Sequence, residues 1–80
     1  MKINILAFGI AKDIFGSSTL DIEMEAGSTV GNLRTELEST YPRLKQLESF
    51  MIAVNNEYAT AGEVIEQRDE IAIIPPVSGG

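Results

Sequence analysis

The 80-residue chain contains no cysteine and no histidine. Without cysteine it has no disulfide, no zinc–thiolate site and no thiol nucleophile. Without histidine it lacks the usual general base near neutral pH and the commonest metal ligand. A hydrolytic triad would need an unusual base, so a self-sufficient enzyme fits the composition poorly. Basic residues are also scarce: six Lys and Arg stand against twelve Asp and Glu, a formal net charge of −6 and a pI near 4.4. Phosphate backbones and anionic membranes repel such a surface, and no basic stripe interrupts it. Neither nucleic acid nor membrane is therefore an expected partner. The acidity would suit a basic protein partner, but it is more simply a route to solubility. No apolar run approaches the roughly 20 residues of a membrane span, and no secretory leader is evident, so the expected location is the cytoplasm.

What is present suits one small globular domain, with 44% hydrophobic residues and a mean hydropathy of +0.06. "KINILAF" reads as a strand with Ile3, Ile5 and Ala7 on one face and Leu6 and Phe8 on the other. "GIAKDIFGSS" reads as a loop. "TLDIEME" alternates cleanly, Leu20, Ile22 and Met24 inward, and suggests a hairpin with the first strand. Ser28 or Thr29 caps a helix whose apolar positions are Val30, Leu33, Leu37 and Tyr41. Neither cap forms a standard capping box, because Gly31 or Asn32 follows three residues later. Gly31 weakens the first turn, and Pro42 ends the helix at Tyr41. "RLKQLE" reads as a loop or short helical turn, "MIAVN" as a third strand, and Asn55-Asn56 as the start of a turn, with Tyr58 on a short strand. In the loop-like "TAGEVIEQRD", Val64 and Ile65 are expected to plug the core. "EIAII" is the last strand, stopped by Pro75-Pro76. One helix against one face of a mixed four- to five-stranded sheet is a two-layer α+β domain, with the first and last strands side by side.

Two features remain unabsorbed. If Ile3, Ile5, Ile71 and Ile73 face the helix, then Leu6, Phe8, Ala72 and Ile74 lie on the uncovered face. Either loops cover them as satellite core, or they form an exposed apolar patch that marks a binding surface. The second feature is the ending "IIPPVSGG". Pro75-Pro76 favours a stiff, extended exit, and Gly79-Gly80 makes a slim arm that can thread a narrow channel. A frayed terminus is the alternative.

"AVN" (Ala53 to Asn55), "DEIAIIPPVSGG" (Asp69 to Gly80) and, more weakly, "AFGIAKDIFG" resemble the small, ubiquitin-like sulfur-carrier subunits of molybdopterin synthase, and the likeness runs through essentially the whole chain. The resemblance implies a β-grasp domain over residues 1–75 and a flexible Gly-Gly tail over 76–80. It implies that the chain binds no cofactor and is not catalytic alone. An activating enzyme uses ATP to adenylate the Gly80 carboxylate, sulfur replaces the adenylate, and the resulting thiocarboxylate donates sulfur to the pterin dithiolene of the molybdenum cofactor. The acceptor is the large catalytic subunit, in a heterotetramer of two small and two large subunits. The family's partner contacts fall on Phe8, Tyr58 and Ile74, and on the inserted tail from Pro75 and Pro76 through Val77 and Ser78 to Gly79. Lys12 falls where the family often has a basic residue near the partner.

Departing from the family, Arg68 stands where a glycine is usual before the last strand. It implies a different turn, or a non-glycine residue at positive φ with some strain. Rival readings are a carrier for thiamine synthesis, a tungsten-cofactor counterpart, a ubiquitin-like modifier of protein lysines, and a non-reactive binding module that uses the apolar patch.

Overall fold

The computed structural model describes residues 1–47 and 50–75. β1 (Lys2–Ala7) and β2 (Thr19–Glu23) pair antiparallel, in register from Lys2 opposite Glu23 to Leu6 opposite Thr19. β5 (Ile71–Ile74) lies parallel to β1, with Ile5 beside Ile71 and Ala7 beside Ile73. β3 (Met51–Val54) runs antiparallel to β5 on its other side and pairs with the short β4 (Glu57–Tyr58), completing the five-stranded order β2-β1-β5-β3-β4. This mixed sheet, covered on one face by the helix α2 (Val30–Thr40), is a β-grasp arrangement.

Alternation along the strands decides which face the helix covers. Ile3, Ile5, Ile52, Ile71 and Ile73 are buried against Val30, Leu33 and Leu37 of α2, and Leu44, Phe50 and Ile65 close the ends of that layer. Arg34 ties α2 to the start of β3. Its guanidinium lies 4.1 Å from the Phe50 ring centroid and donates to the Phe50 carbonyl at 2.7 Å. Pro42 ends α2 as expected, and the chain continues into a 3-10 helix over Pro42–Gln46 that buries Leu44.

Three local expectations need correction. The segment read as a loop after β1 forms α1 (Ile10–Phe15), which buries Ala11 and lays Ile14 and Phe15 on the core, Phe15 edge-on to Tyr41 at 4.8 Å. At six residues it is too short to reveal a helical period, and it closes at Gly16 (φ 78), whose N–H donates to the Lys12 carbonyl. α2 does carry a capping box. Thr29 Oγ1 accepts from the Asn32 N–H at 3.2 Å, and Asn32 Oδ1 accepts from the Thr29 N–H at 2.9 Å, asparagine serving where glutamate is usual.

Of the pair expected to plug the core, Ile65 does so, while Val64 is 58% exposed. The segment is extended there and bridges Thr29, so neighbouring side chains point to opposite sides. Of the two alternatives at Arg68, the positive φ is not taken, which leaves the different turn. Among the described non-glycine residues only Asn55 (φ 53) and Asn56 (φ 70) do, forming the two-residue turn between β3 and β4. Gly31, expected only as a weak spot, has a steric reason. Its N–H donates to the Ala61 carbonyl at 2.9 Å, and an added Cβ would stand 3.2 Å from that oxygen.

Candidate functional site

On the face away from α2, the register aligns one residue from each strand into a row. Thr19 pairs with Leu6, Leu6 with Ala72, Ala72 with Ala53, and Ala53 with Tyr58. The two alanines leave the middle of the row low, and larger side chains rise around it. The result is an open groove of about 410 Å³ lined by Leu6, Phe8, Ala53, Asn56, Tyr58, Glu70, Ala72 and Ile74. Phe8 is 51% exposed and Tyr58 65%, while Met51, opposite Ile74 across the β3–β5 ladder, is 44% exposed. No described loop buries Phe8, so the satellite-core alternative fails there. An exposed apolar patch of this kind has the character of surfaces that bind other proteins.

The structure brings Phe8, Tyr58 and Ile74 to this groove. Lys12 belongs to an adjoining depression of about 380 Å³ that shares Leu6 and Phe8 with the groove and also includes Gly9, Ser18 and Thr19. α1 holds Lys12 there; without that helix the residue would sit on an undirected loop. Pro75 follows Ile74 directly, so the chain leaves the sheet at the rim of the groove. Pro76, Val77, Ser78, Gly79 and Gly80 lie outside the described residues, as does the expected tail segment 76–80. Sequence reasoning missed Met51, Ala53, Asn56 and Glu70. Alternation within "MIAVN" would have put Met51 and Ala53 on one face, but only the β3–β5 pairing shows that this face joins the patch.

A polar latch braces the groove's far end. Asn55 Nδ2 donates to Asp69 Oδ1 at 3.0 Å, the Glu66 N–H donates to Asp69 Oδ2 at 2.8 Å, and the Glu70 N–H donates to Asn55 Oδ1 at 2.9 Å. The Glu66 N–H, then the Asn55 amide, favour the charged carboxylate and hold the Asp69 pKa below its ordinary value, with nearby Arg68 adding to the effect. The latch ties the β3–β4 turn to the turn before β5. It therefore fixes Asn56 and Glu70 at the groove's edge.

A family model, the ThiS family, matches residues 5–80. The chain belongs to the ThiS family. Among ThiS relatives, a molybdopterin synthase sulfur carrier subunit of Arabidopsis thaliana is 38% identical over 81 residues, covering 100% of this chain and 84% of the relative. One of Dictyostelium discoideum, also a molybdopterin synthase sulfur carrier subunit, is 40% identical over 83 residues, covering 99% of this chain and 96% of the relative. Among solved structures, SAMP1 from Haloferax volcanii superposes with a TM-score of 0.84 at 27% identity, covering 100% of both chains.

Proposed function

We propose that the chain is a sulfur-carrier subunit of molybdopterin synthase. The observation that carries this reading is the exposed apolar groove whose rim residue, Ile74, is the last residue before the tail. A partner seated on the groove receives the tail at a fixed point on its own surface. The full-length similarity to molybdopterin synthase sulfur carrier subunits of plants and slime moulds supports the choice of partner.

The chemistry is the one that the resemblance to sulfur-carrier subunits implies. A carboxylate is a poor electrophile, so an activating enzyme uses ATP to convert the Gly80 carboxylate to an acyl-adenylate. A sulfur nucleophile displaces AMP and leaves a thiocarboxylate. With no His or Cys of its own, the carrier leaves acid–base groups and substrate pocket to the large subunit. Phe8, Tyr58 and Ile74 dock, Lys12 meets an acidic group at the margin, and Pro75 through Gly79 deliver the terminal sulfur. The carrier holds no cofactor, and the working assembly pairs two small with two large subunits.

A second reading has one observation behind it. Small archaeal modifier protein 1 of Haloferax volcanii is 29% identical over 82 residues, and the same fold therefore accompanies protein modification. The test is the intact mass of the chain after incubation with an activating enzyme, ATP and a sulfur source, followed by addition of the large subunit. A gain equal to exchange of one oxygen for sulfur, absent when Gly80 is deleted and discharged by the large subunit with dithiolene formation, is the expected result. Loading followed by an isopeptide bond to a lysine would favour the modifier. Loading discharged only to a thiazole-forming enzyme would favour the thiamine reading. No gain, with the activating enzyme competent on another carrier, would refute the carrier chemistry.

A further inference from the structure

We propose that Gly9 is a positioning residue for the tail: it seats the Pro75 ring against the corner between β1 and α1 and so sets the direction in which the chain leaves the sheet. The inference rests on the carrier reading and adds to it the element that aims the reactive arm.

The parallel ladder brings the two residues together. Ala7 pairs with Ile73, and two residues further along each strand lie Gly9 and Pro75. An added Cβ at Gly9 would stand 3.1 Å from Pro75 Cγ, closer than ordinary packing allows. Gly9 also sits at φ 56, ψ −132, in a region open essentially to glycine alone. Nor can its backbone readily swing aside. The Phe8 and Gly9 carbonyls accept from the Ala11 and Lys12 N–H groups, each at 3.1 Å, starting α1. A side chain at position 9 would therefore press the Pro75 ring aside by a few tenths of an ångström. Proline has no N–H with which to extend the β5 ladder, so packing against Gly9 takes over where the ladder ends. From that pivot, residues 76–80 reach at most about 17 Å, and a small tilt at Pro75 is multiplied over that length.

The experiment compares the wild-type chain with Gly9→Ala, Pro75→Ala and the double variant. Unfolding midpoint, kcat/KM for loading by the activating enzyme, and, in the wild type, the nuclear Overhauser effect between Gly9 Hα and the Pro75 ring protons are measured. The Overhauser contact is expected. Gly9→Ala is expected to lower kcat/KM about 10-fold in the folded protein, in line with the sensitivity of reactions to misplacement of an ångström or less. Pro75→Ala removes Cγ without touching Gly9, so it is expected to slow loading with an unchanged midpoint. The double variant should be no slower than the slower single variant, because both remove the same contact. Loading of both single variants at the wild-type rate, or losses that multiply in the double variant, would overturn the inference while leaving the carrier reading intact. Should Gly9→Ala fail to fold, wild-type loading by Pro75→Ala overturns it alone. A wild-type chain that never loads refutes the carrier reading instead, and absence of the Overhauser contact then overturns the seat independently of any activity.

Discussion

Replacing Phe8 by Ala should separate docking from folding. The side chain of a phenylalanine offers about 200 Å², and 51% of Phe8 is exposed in the free chain, so roughly 100 Å² remains to be buried by a partner. At about 25 cal/mol per Å² that area is worth roughly 2.5 kcal/mol, and about 2 after allowing for the Cβ that alanine keeps. The expected loss of affinity for the large subunit is therefore about 30-fold, an upper figure because interface area converts incompletely. Stability should change far less, since half of the ring is already in water. Ile73→Ala supplies the contrast. Its side chain is fully buried on the opposite face, and its removal should cost about 2–5 kcal/mol of folding free energy. The assays are titration calorimetry against the large subunit and urea unfolding of the free chain. If Phe8→Ala shifts the urea midpoint as far as Ile73→Ala does, Phe8 belongs to the core. If the folded variant binds with unchanged affinity, the groove is not the docking face.

Further outcomes follow from local geometry. Thr29→Ala removes the acceptor for the Asn32 N–H and should cost about 1 kcal/mol in urea unfolding, with little effect on docking because the cap lies away from the groove. The Asp69 pKa is lowered from 3.8 in the folded chain, so its contribution to stability is fully present above 3.8 and is lost as pH falls through the lower folded value. Asp69→Asn should accordingly narrow the gap from wild type as pH falls through that window, as read by midpoints across an acid series; a constant gap would refute the assignment. Asn56 sits at φ 70, so Asn56→Val should destabilise by about 1–2 kcal/mol, whereas Asn56→Gly should match or exceed wild type in thermal melts.

The elements that alternate strongly are legible in the sequence. The inward and outward sets of β1 and β5 came from period alone, and so did half of the groove: Leu6, Phe8, Ala72 and Ile74. The other half depends on which strands become neighbours. Ala53 and Met51 join the patch only because β3 pairs with β5, a contact between residues some 20 apart in the chain that no local pattern encodes. α1 escaped notice because six residues give too few turns to show a period, and its placement of Lys12 was lost with it. The Thr29–Asn32 box was missed because the usual signature names glutamate or glutamine, although an asparagine amide oxygen reaches the same N–H. Val64 shows the limit of hydropathy without geometry: two adjacent apolar residues in an extended segment cannot both face the core.

The two faces of this sheet meet different demands, and the residue sizes record it. Inside, β5 presents Ile71 and Ile73, branched and fully buried, and the core loses free energy for every methylene removed. Outside, the row across the sheet centre runs Leu6, Ala72, Ala53, Tyr58, and small residues stand where a buried layer would need bulk. If loops were meant to cover that face, the alanines would leave voids beneath them. As the floor of an open groove they cost the folded chain little, because water fills the space until something else does. Large apolar side chains at the rim and small ones at the floor make a concave seat, and concavity is what allows a partner's side chain to bury area on several sides at once. That seat ends at Ile74, and the next residue is Pro75 against Gly9. Groove rim and tail exit are thus consecutive along one strand, so a protein that binds the first also fixes the origin of the second.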